Sequence, residues 1–475
     1  MDKYNRLGKN TLLIFIGNFG SKIITFLLLP FYVKWLSIEE YGMVDLIWVY
    51  SLFLFQIISL CVSEAVFVYP KDKGKEEQAN YYSSGFLYTM FAFVIGAVFF
   101  LIFLLTLKGL DIKNSFTDYA WSIYFIIFFV FTHTYNQQFS RSIDKVKQYA
   151  ISGILVTSFL AFFSFLLMPT YGVLGFVYAN IIAYSLSTIY LFIYAKIYKF
   201  FSFKYIKYSS IKSMYLYSIP LVPNTVMWWL TNAMSKPVIE YFCGVNKVGL
   251  YAVGHKLPSV IYMVFSVFLF SWQITAFEEF NKKNYSEFYN KILRLLFFVL
   301  ILISCFLSIF SKSLVLFITN LEYLESWKLI PIISLGVVFA SLSGFVGVNF
   351  SVTKQSKYYF YSSLWGGGVS VLLNLILIPF FGVMGAAFAS LVAYIAMTFS
   401  RIKYSWSIVK INDIRNYMLL ILVNIFVIIS VFVFEELIIN ITILVILLGF
   451  FIIINKQYIS DFKSMKKYVI NLISK

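Results

Sequence analysis

Charge is what this sequence has least of. Of 475 residues, 12% are Asp, Glu, Lys or Arg, against about 25% in soluble proteins. That leaves too few polar side chains to clothe a water-facing surface, so a soluble globular domain is excluded. Acids are scarcer still, 21 against 38 bases. The adjacent acids, Glu39/Glu40, Glu76/Glu77, Glu278/Glu279 and Glu435/Glu436, stand in connections or at the ends of apolar runs. They do not form the clustered carboxylates that would hold a metal. Two histidines, His133 and His255, and three distant cysteines, Cys61, Cys243 and Cys305, suggest neither a metal centre nor a disulfide framework. No metal and no cofactor are expected. No connection is long enough for an external catalytic domain, which argues against an enzyme such as a polysaccharide polymerase or a prenyl-phosphate glycosyltransferase.

What is present is apolar length. Hydrophobic residues make up 61% of the chain, in runs of about 20 residues, each long enough to cross a bilayer core of about 30 Å. The runs are continuous rather than alternating, which rules out a transmembrane barrel. We read an all-α polytopic membrane protein with spans near 10–36, 42–69, 80–107, 116–140, 147–169, 173–196, 213–243, 248–277, 285–311, 324–353, 357–379, 382–403, 415–434 and 437–455. The first run lacks a small-residue cleavage site, so no cleaved leader is expected. Lys and Arg gather before span 1, in the even-numbered connections and after span 14. By the positive-inside rule both termini are expected in the cytoplasm. Topology thereby accounts for most of the net charge of +17, and no nucleic-acid partner is needed. Membrane lipids are the expected neighbours. The basic, aromatic connection at 201–212 and an amphipathic tail at 457–475 are expected on the anionic inner surface.

The chain repeats itself. Residues 147–188 align without a gap to 357–398, matching Pro169 with Pro379, Gly172 with Gly382, Val173 with Val383, Gly175 with Gly385 and Ala179 with Ala389. A weaker echo pairs Pro30 and Gly42 with Pro237 and Gly249. The unit is six spans. Six is even, so the repeats enter the membrane in the same direction. The expected organisation is a six-helix lobe over 1–200, the linker 201–212, a second lobe over 213–405, and two extra helices within 406–456. Two lobes suit alternating access by rocking.

Charges inside spans are costly, about 2.5–3.5 kcal/mol on insertion scales, and usually face a cavity or a partner. Lys22 lies about 21 Å below the outer end of span 1, near mid-membrane. With Asn18, Ser21 and Thr25 it forms a polar stripe expected to line a wet lumen. A carboxylate on another helix is the alternative partner. Lys236 and Lys256 should lie about 10–12 Å below the outer surface on spans 7 and 8. Lys236 has Glu240 one turn on, so an ordinary ion pair competes with substrate binding there. Lys256 follows His255 and either faces the lumen or reaches the outer headgroups. The candidate binding set is Lys22, Lys256, Lys236, His255 and Asn18. Asp45, Glu64 and Glu240, with Gln138 and Arg141 in the polar run "THTYNQQFSR" (132–141), are candidates for gating or coupling.

Four stretches, "LSIEEYGMVDL", "GVNKVGLYAVGHKLP", "SWQITAFEEF" and "IPFFGVMGAAFAS", in this order and spacing, resemble the bacterial O-antigen and capsular polysaccharide flippases. These belong to the multidrug/oligosaccharidyl-lipid/polysaccharide exporter superfamily. The resemblance implies a V-shaped, two-lobed fold. It also implies movement of undecaprenyl-pyrophosphate-linked oligosaccharides from the inner to the outer leaflet, with H+ or Na+ as the coupling ion left open. The arginine common in span 7 of such proteins is here Lys236, in "MSKPVIE", with no preceding Asp. The fourteen-span layout also looks like that of the lipid II flippases, whose last two helices help form a groove for the lipid tail. The luminal lysines fit an anionic headgroup, since they can replace the hydration of a pyrophosphate in a low-dielectric layer. The main rival is a cation/drug antiporter on the same fold. It would want an acid at mid-membrane, where this chain has Lys22.

Overall fold

The computed structural model describes residues 20–111, 114–434, 436–455 and 458, and all regular structure among them is helical. Residues 20–27 are helical and continue past a bend into α1 (Leu29–Trp35). There follow α2 (Ile38–Ile58), α3 (Val62–Val68), α4 (Lys75–Gly109), α5 (Ser115–Asp118), α6 (Ala120–Ser142), α7 (Val146–Tyr194), α8 (Tyr208–Ser218) and α9 (Val222–Asn232). Then come α10 (Ser235–Cys243), α11 (Val245–Lys256), α12 (Ser259–Glu279), α13 (Tyr285–Ile309), α14 (Ser311–Ile318), α15 (Ile330–Val352), α16 (Lys357–Ser405), α17 (Ile414–Val433) and α18 (Leu437–Ile454). Among the described residues, nine helices are long and apolar enough to cross a membrane. α9, α10 and α11 are shorter, because the chain breaks at 233–234 before Pro237, at Gly244 (φ +84°) and at 257–258. The tail at 459–475 and Asn18 lie outside the described residues.

Burial runs opposite to that of a soluble protein. Val94, Phe99 and Leu105 on α4 and Ile438, Val445 and Ile453 on α18 are all exposed, while Ser152, Asn349, Asn374 and Asn424 are buried. Apolar rows pointing outward are stable only in lipid, where the helix already satisfies its own backbone. The interior therefore holds small polar and aromatic side chains beside its aliphatic ones. Tyr82 stacks near Phe139 with centroids 4.5 Å apart and donates to Asn136 Oδ1 at 2.7 Å. Trp272, Phe345 and Tyr289 form a similar nest, with centroids 4.6 and 4.9 Å apart.

The shared motif of the repeat is a tight helix reversal. α7 and α16 each contain two predicted spans, joined at Gly172 (φ +52°, ψ −124°) and Gly382 (φ +56°, ψ −137°). L-residues rarely adopt that conformation, and glycine does so without a steric cost. Three residues on, the returning helix presses against the outgoing one. A Cβ on Gly175 would stand 2.7 Å from the Leu167 carbonyl carbon, and one on Gly385 would stand 2.6 Å from that of Leu377. Leu167 and Leu377 are themselves repeat partners. The preceding turns match as well. Asp144 and Lys354 both take positive φ, and Lys145 and Gln355 both donate to the carbonyl five residues back at 2.8 Å.

The described chain packs into two compact units. One holds residues up to 229 together with 239–249; the other holds 230–238 and residues from 250 onward. In the first, α6 packs on α7, α2 and α3, and α8 packs on α3 and α4. The linker is pinned there: Ser83 Oγ donates to the Phe200 carbonyl at 2.8 Å and the Lys207 N–H donates to Ser84 Oγ at 2.8 Å. In the second, α15 packs on α16, α12 and α13, and α13 on α17. Arg294 of α13 and Asp413, just before α17, form an ion pair at 2.5 Å.

Candidate functional site

Helix α2 opens with the capping box that "LSIEEYGMVDL" encodes. Ser37 Oγ accepts from the Glu40 N–H at 3.2 Å, and Glu40 Oε2 accepts from the Ser37 N–H at 2.9 Å. One turn later the helix meets the segment 239–249. A Cβ on Gly42 would overlap the Val245 carbonyl and lie 2.9 Å from the Gly249 nitrogen; a Cβ on Gly249 would overlap the Ile38 carbonyl. Gly42 and Gly249 are repeat partners, and so are Ile38 and Val245, so one backbone contact is made twice. Beside this crossing sits Glu240. It is buried, and it accepts from Tyr50 Oη at 2.7 Å and from the Ser115 N–H at 2.6 Å. Its two carboxylate oxygens are engaged by the Tyr50 hydroxyl of α2 and by the Ser115 N–H at the start of α5.

At the other end of the same unit, Arg141 stacks on Phe67 at 4.2 Å and over Tyr149 at 5.6 Å. Glu64, exposed on α3, lies near enough to Arg141 for their charges to interact. The rest of the run 132–141 is mostly internal wiring. Gln137 Nε2 donates to Ser152 Oγ at 3.1 Å and to the Tyr149 carbonyl at 3.2 Å, and His133 is buried against the Tyr184 ring. Gln138 is half-buried, as is Asp45 on α2.

Lys22 is exposed. Ser21, its neighbour in the predicted polar stripe, turns away to α7: its hydroxyl donates to the Gly153 carbonyl at 3.2 Å and accepts from Thr157 Oγ1 at 3.4 Å. Thr25 donates to the Ser21 carbonyl at 2.9 Å. Ser21 thus ties this segment to α7.

The second unit carries Lys236, His255 and Lys256, all half-buried. Around them is a hydroxyl cluster that the sequence reading missed. Tyr251 Oη and Ser390 Oγ are 3.1 Å apart, Ser235 Oγ is 3.4 Å from Ser390 Oγ, and Tyr394 Oη donates to Asn232 Oδ1 at 2.7 Å. The His255 ring lies 6.2 Å from that of Tyr251. Such donors and acceptors on broken helices suit a polar ligand rather than a hydrocarbon. Deeper in this unit, an apolar cavity of about 120 Å³ is lined by Phe297, Phe339, Leu342, Thr398, Tyr417 and Ile421. Among the described residues no three His, Cys, Asp or Glu side chains gather into a metal site.

A family model described as polysaccharide biosynthesis protein matches residues 7–273. The chain belongs to the polysaccharide biosynthesis protein family. In fold this member resembles the structure titled lipid II flippase MurJ, inward closed conformation. The TM-score is 0.71 and the identity 17%, over 94% of this chain and all of that one. It also resembles an inward-facing multidrug resistance MATE family transporter of the MOP superfamily, at a TM-score of 0.65 and 13% identity, over 81% of this chain and 94% of that one. An uncharacterized membrane protein of Methanocaldococcus jannaschii is 26% identical over 216 residues, 43% of this chain and 41% of the relative. The match thus spans about two fifths of that relative's length. The all-helical fold of these structures is the kind of fold that the resemblance implied.

Proposed function

We propose that this family member is a flippase. In this reading it carries an undecaprenyl-pyrophosphate-linked oligosaccharide, an O-antigen or capsule repeat unit, from the inner to the outer leaflet by alternating access. The observation that carries the reading is the conjunction of a polysaccharide biosynthesis family with a fold shared over 94% of the chain with a structure titled lipid II flippase. Lys22, Lys236 and Lys256, with His255 and Asn18, contact the anionic headgroup. The hydroxyl cluster around Ser390 and Tyr251 receives sugar. The polyprenyl tail stays in lipid and needs no polar path. Glu240 with Tyr50 and Ser115, beside the Gly42–Gly249 crossing, closes the outer side. Glu64 and Arg141, with Asp45 and Gln138, serve the inner gate or the coupling to H+ or Na+. Both termini face the cytoplasm of a bacterial inner membrane.

The test is genetic and chemical. Deleting the gene should leave one lipid-linked glycan accumulating on the cytoplasmic face, and a plasmid copy should clear it. If no glycan accumulates and the cells become sensitive to cationic drugs instead, the protein is a cation antiporter on the same fold, as the MATE likeness also allows.

A further inference from the structure

Arg401 lies in the second unit, four residues before the end of α16 and so about 6 Å from that end. Its side chain is buried. The outgoing arm of α16, before Gly382, and the neighbouring helix α15 hold it. Nε donates to Ser362 Oγ at 3.1 Å, one Nη1 hydrogen goes to the Ser343 carbonyl at 2.8 Å, and the guanidinium lies 5.1 Å over the Tyr359 ring. Tyr359 is fixed in turn, its hydroxyl 3.2 Å from Ser351 Oγ. Tyr262 on α12 is close enough to sense the charge. Among the described residues no carboxylate pairs with this cation, and its Nη2 nitrogen has no hydrogen-bond partner. Ser343 Oγ, fully buried, is also without a hydrogen-bond partner.

The repeat shows that packing does not need the charge. In the first unit the partner of Ser362 is Ser152, and its hydroxyl is held by Gln137, an uncharged side chain from α6. The repeat partner of Gln137 is Gly347, and that of Arg401 is Leu191. The second repeat has therefore removed the glutamine and put an arginine in its place from another helix. Gly347 makes the room: a Cβ there would stand 3.0 Å from Arg401 Nη1 and 2.7 Å from Tyr359 Cε1. A buried cation without a counterion is costly unless something neutralises it. Arginine's planar fork is suited to phosphate oxygens.

We infer that Arg401 is an anion-binding residue of the second unit, presenting Nη2 to a phosphate or pyrophosphate group, on a lipid or free. This deepens the flippase reading and rests on it. The experiment uses the purified full-length protein in nanodiscs, with binding of farnesyl pyrophosphate, inorganic pyrophosphate and farnesol followed by native mass spectrometry and thermal shift. The variants are Arg401→Gln, Arg401→Lys and the double variant Gly347→Gln/Arg401→Leu, which rebuilds the uncharged arrangement of the first repeat. The double variant should melt near the parent and bind farnesyl pyrophosphate about tenfold or more weakly. Arg401→Lys should retain part of the affinity. If inorganic pyrophosphate weakens in parallel, the site reads the anion itself. If farnesyl pyrophosphate alone binds and weakens, it reads the lipid-linked form. Should Arg401→Gln fail to fold, the lysine and double variants carry the measurement. A double variant that binds both probes as the parent does would overturn the inference while leaving the flippase reading intact. A parent that binds neither probe overturns both.

Discussion

Replacing Gly249 by alanine tests the backbone crossing most directly. The new methyl group would lie 2.9 Å from Ile38 Cγ2 and 3.1 Å from the Ile38 carbonyl carbon, with the oxygen nearer still, whereas ordinary contacts begin near 3.4 Å. The backbones must part by roughly 1 Å, and overpacking of this kind costs about 1–3 kcal/mol. Alanine in a helix otherwise stabilises by about 0.5–1 kcal/mol relative to glycine. Gly368 and Gly449 have nothing within 4 Å of an added Cβ, so Gly368→Ala and Gly449→Ala are matched controls of opposite sign. The assay is thermal unfolding of the purified protein, at about 2–4 °C for each kcal/mol in a unit of this size. It is paired with maleimide labelling of Val248→Cys in a background without Cys61, Cys243 and Cys305. Val248 is fully buried beside the crossing. Gly249→Ala should melt lower, label faster at residue 248 and flip less substrate, while the controls melt at or above the parent. If Gly249→Ala behaves like Gly368→Ala in melting and labelling, the close approach places no constraint on the protein and the argument fails.

Three further expectations concern single positions. On the flippase reading, Lys22→Ala should abolish flipping at normal abundance, Lys22→Arg should keep part of it and Lys22→Glu should be worse than alanine; surface glycan and protein level measured together decide this, and normal flipping by Lys22→Ala refutes it. Gly172→Ala and Gly382→Ala should each destabilise by about 1–3 kcal/mol, because φ near +50° with strongly negative ψ disfavours any side chain; thermal unfolding equal to the parent would show that the reversal tolerates a Cβ. Glu240→Ala leaves the Ser115 N–H without its acceptor, a cost of about 1–3 kcal/mol, whereas Glu240→Gln retains an acceptor and should lose less; equal melting temperatures for the two would show that the carboxylate does not hold this contact.

The parts of the fold set by local chemistry were legible. Pro169, Gly172 and Gly175, with their partners, recur at a fixed offset because each has a backbone reason to be there. Lys22 was legible as costly because it stands inside an apolar run. The hydrogen bond of Ser21 to the Gly153 carbonyl joins residues 132 apart, which no local pattern announces. The contacts of Glu240 with Tyr50 and Ser115 were not legible, because those residues are 190 and 125 residues away in sequence and no periodicity reports such distances. Arg401 was absorbed into the cytoplasmic charge pattern. The signal that could have found it was present: at the repeat offset, a glutamine has become glycine while a leucine has become arginine.

The reciprocal glycine contact also bears on ancestry. Residue 42 meets 245 while 249 meets 38, which in the numbering of a single six-helix copy is one residue pair met in both directions. That is the rule of an isologous interface, where a surface is complementary to itself. A duplication preserves such self-complementarity and makes it intramolecular, raising the effective concentration of the second copy to about the millimolar range for a short linker. Once fused, the copies no longer had to remain alike elsewhere, and Arg401 stands opposite Leu191 in just such a freed position.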